Sequence, residues 1–220
     1  MSKVTPNKPL LILLYGFPGA GKTYFARQLC EHLQAVHIYD DRIRHELFDE
    51  PRYDKQENTI VTQLMDYMSE EFLNNGLSAV YDTNTMRLSQ RRVLRDMARK
   101  MHAQPLLIWV QIDTESAFTR IAGRDRRKAD DKYAMPLDRT TFDSIISHMQ
   151  NPQAAEDYIV ISGKHTFTTQ QSAIMKKLRE LGLVQTTDAN AKVIRPELVN
   201  LIPNPIAGRV DMSRRNIVIR

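Results

Sequence analysis

Residues 10–23 read Leu10-Leu11-Ile12-Leu13-Leu14-Tyr15-Gly16-Phe17-Pro18-Gly19-Ala20-Gly21-Lys22-Thr23. An apolar run enters a loop that fits G-x-x-x-x-G-K-[ST] without a mismatch, and Phe25, Ala26, Leu29 and Leu33 follow at helical spacing. A strand, a glycine-rich turn and an amphipathic helix in that order are the setting in which this spacing has a mechanism. The glycines let successive backbone N–H groups point inward around phosphate oxygens, and the helix N-terminus adds partial positive charge. Lys22 then reaches the β- and γ-phosphates of a nucleoside triphosphate, and Thr23 offers its hydroxyl to Mg2+. The competing reading is a strand–helix turn without a ligand. The complete pattern in this context argues against it.

Working outward, short apolar runs alternate with helical patterns. Leu10–Tyr15, Val36–Tyr39, Ser78–Tyr81, Leu106–Ile112 and Tyr158–Ile161 read as strands, several of them apolar throughout, as befits strands covered on both faces. Helices are predicted at about 22–34, 42–49, 56–75, 89–102, 114–126, 138–149 and 168–181 from their apolar periodicity. In the third, Ile60, Leu64 and Met68 form a stripe widened by Val61, Met65 and Phe72, and Asn74-Asn75-Gly76 supplies the stop. The alternation predicts one α/β domain over residues 1–182 with a mainly parallel sheet. From 183 to 220 the pattern changes. Pro196, Pro203 and Pro205 argue against a long helix, so this part reads as a C-terminal extension whose last residues are able to form one short strand.

Composition narrows the class. Charged residues are 26% and hydrophobic residues 42% of 220, close to the globular norm. The single cysteine, Cys30, excludes an internal disulfide and a four-cysteine zinc site. No apolar run reaches the ~18 residues a membrane helix needs. Lys3 and Lys8 before Leu10–Leu14 imitate a short signal peptide, but the run leads directly into the phosphate loop, so a cytoplasmic protein is expected. The net charge of +5 is compatible with a polyanionic partner and decides little alone.

A triphosphate site does not name a reaction. The second strand ends in Asp40-Asp41-Arg42-Ile43-Arg44, and ligands of open parallel sheets bind beyond the carboxyl ends of strands. A carboxylate there can accept the proton of a hydroxyl that attacks the γ-phosphate, or it can merely cap the next helix. The third strand ends in Asp82-Thr83-Asn84, either an acid placed for a Mg2+ contact or turn chemistry. Arg87, Arg91, Arg95 and Arg99 recur every four residues and line one helical face. A further basic group, Arg120, Arg124, Arg126, Arg127 and Lys128, precedes Asp130 and Asp131. Such arginines either close over a triphosphate or form a solvated face.

In these blocks, in this order, the chain resembles the P-loop kinases of the polynucleotide 5′-kinase and zeta-toxin kind over about residues 10–182. The resemblance implies a three-layer core with a five-stranded parallel sheet and a mobile helical lid. It implies transfer of the γ-phosphate of ATP, with Mg2+, to a hydroxyl. The loop Gly16, Phe17, Pro18, Gly19, Ala20, Gly21, Lys22, Thr23 would bind the nucleotide together with Arg120 and Arg124. Asp41, in the D-x-x-R block, becomes the general base, with the neighbouring Asp40 leaving the register open by one residue. Arg44 would contact an anionic group of the acceptor. Asp82, with Thr23, would organise the metal, and Arg91 or Arg92 completes the block that begins at Asp82. Lys22, Asp41, Arg44, Asp82 and Arg124 are thus the expected catalytic set.

Within that frame the acceptor is a nucleic-acid 5′-end, a nucleotide or a small phosphorylated metabolite such as a nucleotide sugar. Clustered arginines favour nucleic acid, whereas one Trp and 7% aromatic residues offer no visible stacking platform. The alternative class is a nucleotide-dependent binding module that hydrolyses ATP without an acceptor, in which Asp41 only caps a helix.

Overall fold

The structure is a computed structural model and describes residues 3–125, 127 and 131–184. The expectations that concern Arg126, Lys128, Asp130 and the residues from 185 onward lie outside the described residues.

Among the described residues, strands Leu10–Tyr15 (β1), Ala35–Tyr39 (β2), Ser78–Asp82 (β3), Gln104–Gln111 (β4) and Tyr158–Ser162 (β5) form one sheet in the order β2-β3-β1-β4-β5. Every pairing is parallel, with Leu11 opposite Ala79 and Pro105, and Ile108 opposite Ile159. The helices are Lys22–His32 (α1), Asp40–Leu47 (α2), Lys55–Asn74 (α3), Leu88–Lys100 (α4), Thr114–Ala122 (α5), Arg139–Ser147 (α6) and Phe167–Glu180 (α7). The expected α/β core with a five-stranded parallel sheet is therefore the fold.

The core explains the apolar strands. All six residues of β1 are buried. Leu10, Ile12 and Leu14 meet Phe25 and Leu29 of α1 and Ile174 and Leu178 of α7. Leu11, Leu13 and Tyr15 meet Val61 and Met65 of α3 and Leu94 and Met97 of α4. Each such aliphatic side chain contributes roughly 1.5–3 kcal/mol on burial, so β1 anchors both layers. The same body continues past 182, because Leu183 is buried against this core and its carbonyl accepts from the Asn7 amide at 2.8 Å.

Two helix faces differ from the sequence expectation. In α3 the buried seam is Glu57, Val61, Met65, Ser69 and Leu73, while Ile60 is exposed. The apolar stripe rotates by one residue because Glu57 and Ser69 are buried with partners: Glu57 accepts from the Arg52 and Tyr53 amides, and Ser69 donates to the Met65 carbonyl. In α4 Arg91 points inward with Leu94, Met97 and Ala98. It is fully buried and forms a two-pronged ion pair with Glu156, at 2.7 and 2.9 Å. It is therefore no part of an exposed basic face. Of the expected face only Arg87 and Arg99 are exposed, since spacing could not show that Arg91 had a carboxylate waiting inside.

β1 lies where the strand order reverses, between β3 and β4, which opens a crevice beyond the strand ends. The loop after β1 is held against α5 by Gly19, whose φ is 81°. A Cβ there would lie 2.2 Å from the Ala117 carbonyl oxygen. Phe17, Ala117, Ile121 and Phe142 form a small cluster that seats α5 and α6 beside this loop.

Candidate active site

The crevice holds a cavity of about 340 Å3. Lys22, Thr23, Asp40, Asp41, Arg44, Asp82, Arg120 and Arg124 all line it. Four separate chain segments are thus brought to one place by the topology. Of the loop residues, Pro18, Gly19 and Gly21 line the cavity too, whereas Ala20 is buried beneath it in the core of α1 and α7.

Lys22, the first residue of α1, folds back along the loop. Its Nζ donates to the Gly16 carbonyl at 2.9 Å and to the Phe17 carbonyl at 3.0 Å. Burial depresses its pKa to about 8, against the opposing pull of Asp82 and Asp40. A polyphosphate in the loop would restore the full charge. On the other side of the loop the Arg120 guanidinium donates to the Gly163 carbonyl at 3.0 Å. Arg124 donates to the Met135 carbonyl at 3.0 Å and lies 3.9 Å from Asp131. Both arginines thus tie the segment around α5 to the rim, with their charge facing the crevice.

The two acids of the second block differ sharply. Tyr39 is the N-cap of α2 and makes no side-chain cap bond. Asp40 and Asp41 occupy the first turn, just past the N-cap position, and of the two only the Asp40 carboxylate satisfies a first-turn amide. Asp40 accepts from the Thr83 hydroxyl and from the Asp41 amide. The Asp41 carboxylate accepts no hydrogen bond among the described residues. Burial raises both carboxyls above the usual range; for Asp41, pushed up to about 6, the Asp82 charge adds to it while Arg44 and Arg124 oppose. A carboxylate so placed is a better proton acceptor than an exposed one.

Asp82, at the end of β3, is buried, and its Oδ2 lies 2.8 Å from His37 Nε2. Thr23 faces the same cavity. Among the described residues no group of three or more His, Cys, Asp or Glu side chains is placed to hold a metal ion alone. Mg2+ is commonly held by one or two protein oxygens and the substrate's phosphates. The donor set fits Mg2+ and a triphosphate: a hydroxyl and a carboxylate beside a lysine and two arginines.

Arg44 lines the cavity but is not free. Its Nη1 donates to Glu57 at 3.2 Å, its Nη2 to Asn58 at 2.7 Å, and Tyr53 stacks over it at 4.6 Å. Its Nε is buried without a partner. Tyr53 adopts φ 58°, a conformation that costs a non-glycine residue of order 1 kcal/mol. The Glu57 carboxylate, gripping the Arg52 and Tyr53 amides, holds it there. Tyr53, Asn58, Met86, Met135, Leu137 and Ile145 complete the wall and were not singled out from the sequence. Only the Asp54-x-x-Glu57 helix start was a signal nearby. Arg91 and Arg92 do not line the cavity.

Among the described residues, no helix is long and apolar enough to cross a membrane.

A glycine-rich phosphate loop at the switch point of a 2-3-1-4-5 parallel sheet, with Arg120 of α5 and Arg124 just beyond that helix at its rim, defines a P-loop fold. The chain belongs to the AAA domain family (AAA_33), whose profile matches residues 11–152. No curated protein matches it in sequence. Its fold is shared with a putative kinase from Chloroflexus aurantiacus J-10-fl, with a TM-score of 0.62, 14% identity, and coverage of 79% of this chain and 97% of that one. Chaetomium thermophilum Kti12 in complex with ADP-AlF3 superposes with a TM-score of 0.59 at 15% identity, covering 77% and 97%. The Mycobacterium tuberculosis APS kinase CysC in complex with AMPPNP and APS gives 0.58 at 16%, covering 79% and 99%. At these identities the likeness is one of fold.

Proposed function

We propose that this protein is an ATP- and Mg2+-dependent phosphotransferase that moves the γ-phosphate to a hydroxyl of an acceptor. The observation that carries the reading is the position of Asp41. A carboxylate without a hydrogen-bond partner, its proton affinity raised, lies in the same cavity as the phosphate loop and the arginines at its rim. An ATP switch needs no such group. ATP supplies the phosphoryl group, and Mg2+ offsets its charge.

The chain's own residues then divide the work. The loop around Gly19 and Gly21, with Lys22, holds the donor phosphates. Thr23 and Asp82, which line the cavity together, would hold the metal. Asp41 accepts the proton of the attacking hydroxyl. The Arg44 guanidinium, fixed by Glu57 and Asn58, sets a positive charge in the cavity wall for an anionic group of the acceptor. Arg124 and Arg120 balance the charge that spreads over the phosphoryl oxygens in flight.

Arg124→Ala is expected to lower turnover about 10²–10³-fold while changing ATP affinity much less, because its charge counts most in the transition state. Steady-state kinetics with ATP varied check this. A raised KM with turnover unchanged would make Arg124 a ground-state ligand instead. The reading as a whole is tested by whether hydroxyl acceptors accelerate ADP release. Acceleration supports a kinase, and a release rate indifferent to every acceptor points to the ATP-hydrolysing module.

A further inference from the structure

We propose that Arg91 is a positioning residue: with Glu156 it fixes the turn that carries Thr83 and Asn84, and through Thr83 and Asp40 it sets the place of Asp41. The inference rests on the phosphotransferase reading for its meaning, and its test separates the two.

The chain of contacts is continuous. Arg91 is fully buried, with Nε and Nη2 on the two oxygens of Glu156 at 2.7 and 2.9 Å. Its Nη1 grips the Thr85 carbonyl at 2.9 Å and the Met86 carbonyl at 3.2 Å. The Tyr15 ring covers the guanidinium at 5.1 Å. These contacts engage all three guanidinium nitrogens inside the protein, so Arg91 cannot also bind a phosphate. What it holds is the far end of the turn after β3. Thr85 is further locked to β1, since its amide and hydroxyl both donate to the Leu14 carbonyl, at 3.2 and 2.7 Å. The near end is held by β3 and by His37 on Asp82. Between these two pins stands Thr83, whose hydroxyl donates to Asp40, and Asp40 in turn accepts the Asp41 amide at 2.7 Å. That amide lies in the first turn of α2, where backbone N–H groups lack a partner within the helix, so Asp40 is its anchor. A planar fork is needed for this, and a lysine cannot serve two carbonyls and both carboxylate oxygens together.

The test uses Arg91→Lys in the full chain, which keeps the buried charge and loses the fork. Amide hydrogen exchange is the readout that needs no substrate. Exchange at Thr85 and Asp41 is expected to rise at least ~10-fold, while the β1 and β4 amides stay within about twofold of the parent. A uniform rise across the sheet, or no change at Asp41, would reduce Arg91 to a core ion pair and overturn the proposal. With Mg2+ and ATP, turnover is expected to fall about 10–100-fold with the KM for ATP within about twofold, the scale of a small misplacement of reacting groups. Thr83→Val should cost a similar factor, and the double variant no more than either single one. Losses that multiply would mean independent roles and also contradict the proposal. Glu156→Gln is the second variant should Arg91→Lys fail to fold, and the same pattern is expected of it. A parent protein that neither hydrolyses ATP nor labels any acceptor ends the phosphotransferase reading, while the exchange pattern still decides whether Arg91 positions Asp41.

Discussion

Replacing Lys22 with alanine is expected to lower turnover of Mg2+-bound ATP at least ~10³-fold, about 4 kcal/mol of barrier. In the proposed reaction the ammonium would follow the β- and γ-phosphates into the transition state, where charge on the transferring group is most in need of a fixed counter-charge. Without nucleotide it only bridges the Gly16 and Phe17 carbonyls. Burial holds its pKa down to about 8, with Asp82 and Asp40 pulling the other way. Removing it should therefore leave the melting temperature within a few degrees of the parent. Near-normal turnover in a folded variant would show that the Gly16–Thr23 loop is not the donor site. Single-turnover kinetics with a thermal melt beside them distinguish loss of chemistry from loss of fold.

Asp41→Asn should lower transfer to the acceptor by roughly 10²–10⁴, the scale of general-base catalysis, with ATP affinity nearly unchanged. Asp40→Asn should be milder, because Asp40 already spends its oxygens on Thr83 and the Asp41 amide. If Asp40→Asn is the inactive variant, the base is one residue earlier and the mechanism stands. Stability moves the opposite way from a capping residue. The Asp41 carboxyl is raised in the folded protein to about 6, against about 3.9 unfolded. Between those values the folded state binds more protons, so its contribution to stability is fully present below about 3.9 and is lost as pH rises through about 6. At pH 7.5 the ligand-free Asp41→Asn protein should thus melt no lower than the parent, and at pH 4 the difference should shrink. A clear drop in melting temperature at pH 7.5 would return Asp41 to a structural role.

Much of this arrangement is legible in the chain itself. The apolar runs are strands because both faces of a parallel sheet are covered, so no alternation was needed to find them. The phosphate loop was legible because its chemistry requires fixed residues at fixed spacing, and Asp41 and Asp82 because they follow strands. Arg91 was misread for a physical reason: spacing reports which side of a helix a residue occupies, not what waits opposite. Its partner Glu156 is 65 residues further on, in a short 3-10 turn that carries no periodic signal. The seam of α3 shifted for the same reason, since Glu57 reads as polar until its amide partners are known. Tyr53 and Asn58 reach the cavity through the αL conformation at Tyr53 and the hydrogen bond from Arg44, which no local pattern announces.

The most direct measurement is transfer of labelled γ-phosphate from ATP into a panel of 5′-hydroxyl oligonucleotides, nucleosides and nucleotide sugars, run with the parent protein and with Asp41→Asn. The expected result is label in at least one hydroxyl acceptor, dependent on Mg2+ and reduced at least ~10²-fold in the variant. Label that appears only as inorganic phosphate, at a rate the same in both proteins, would contradict it.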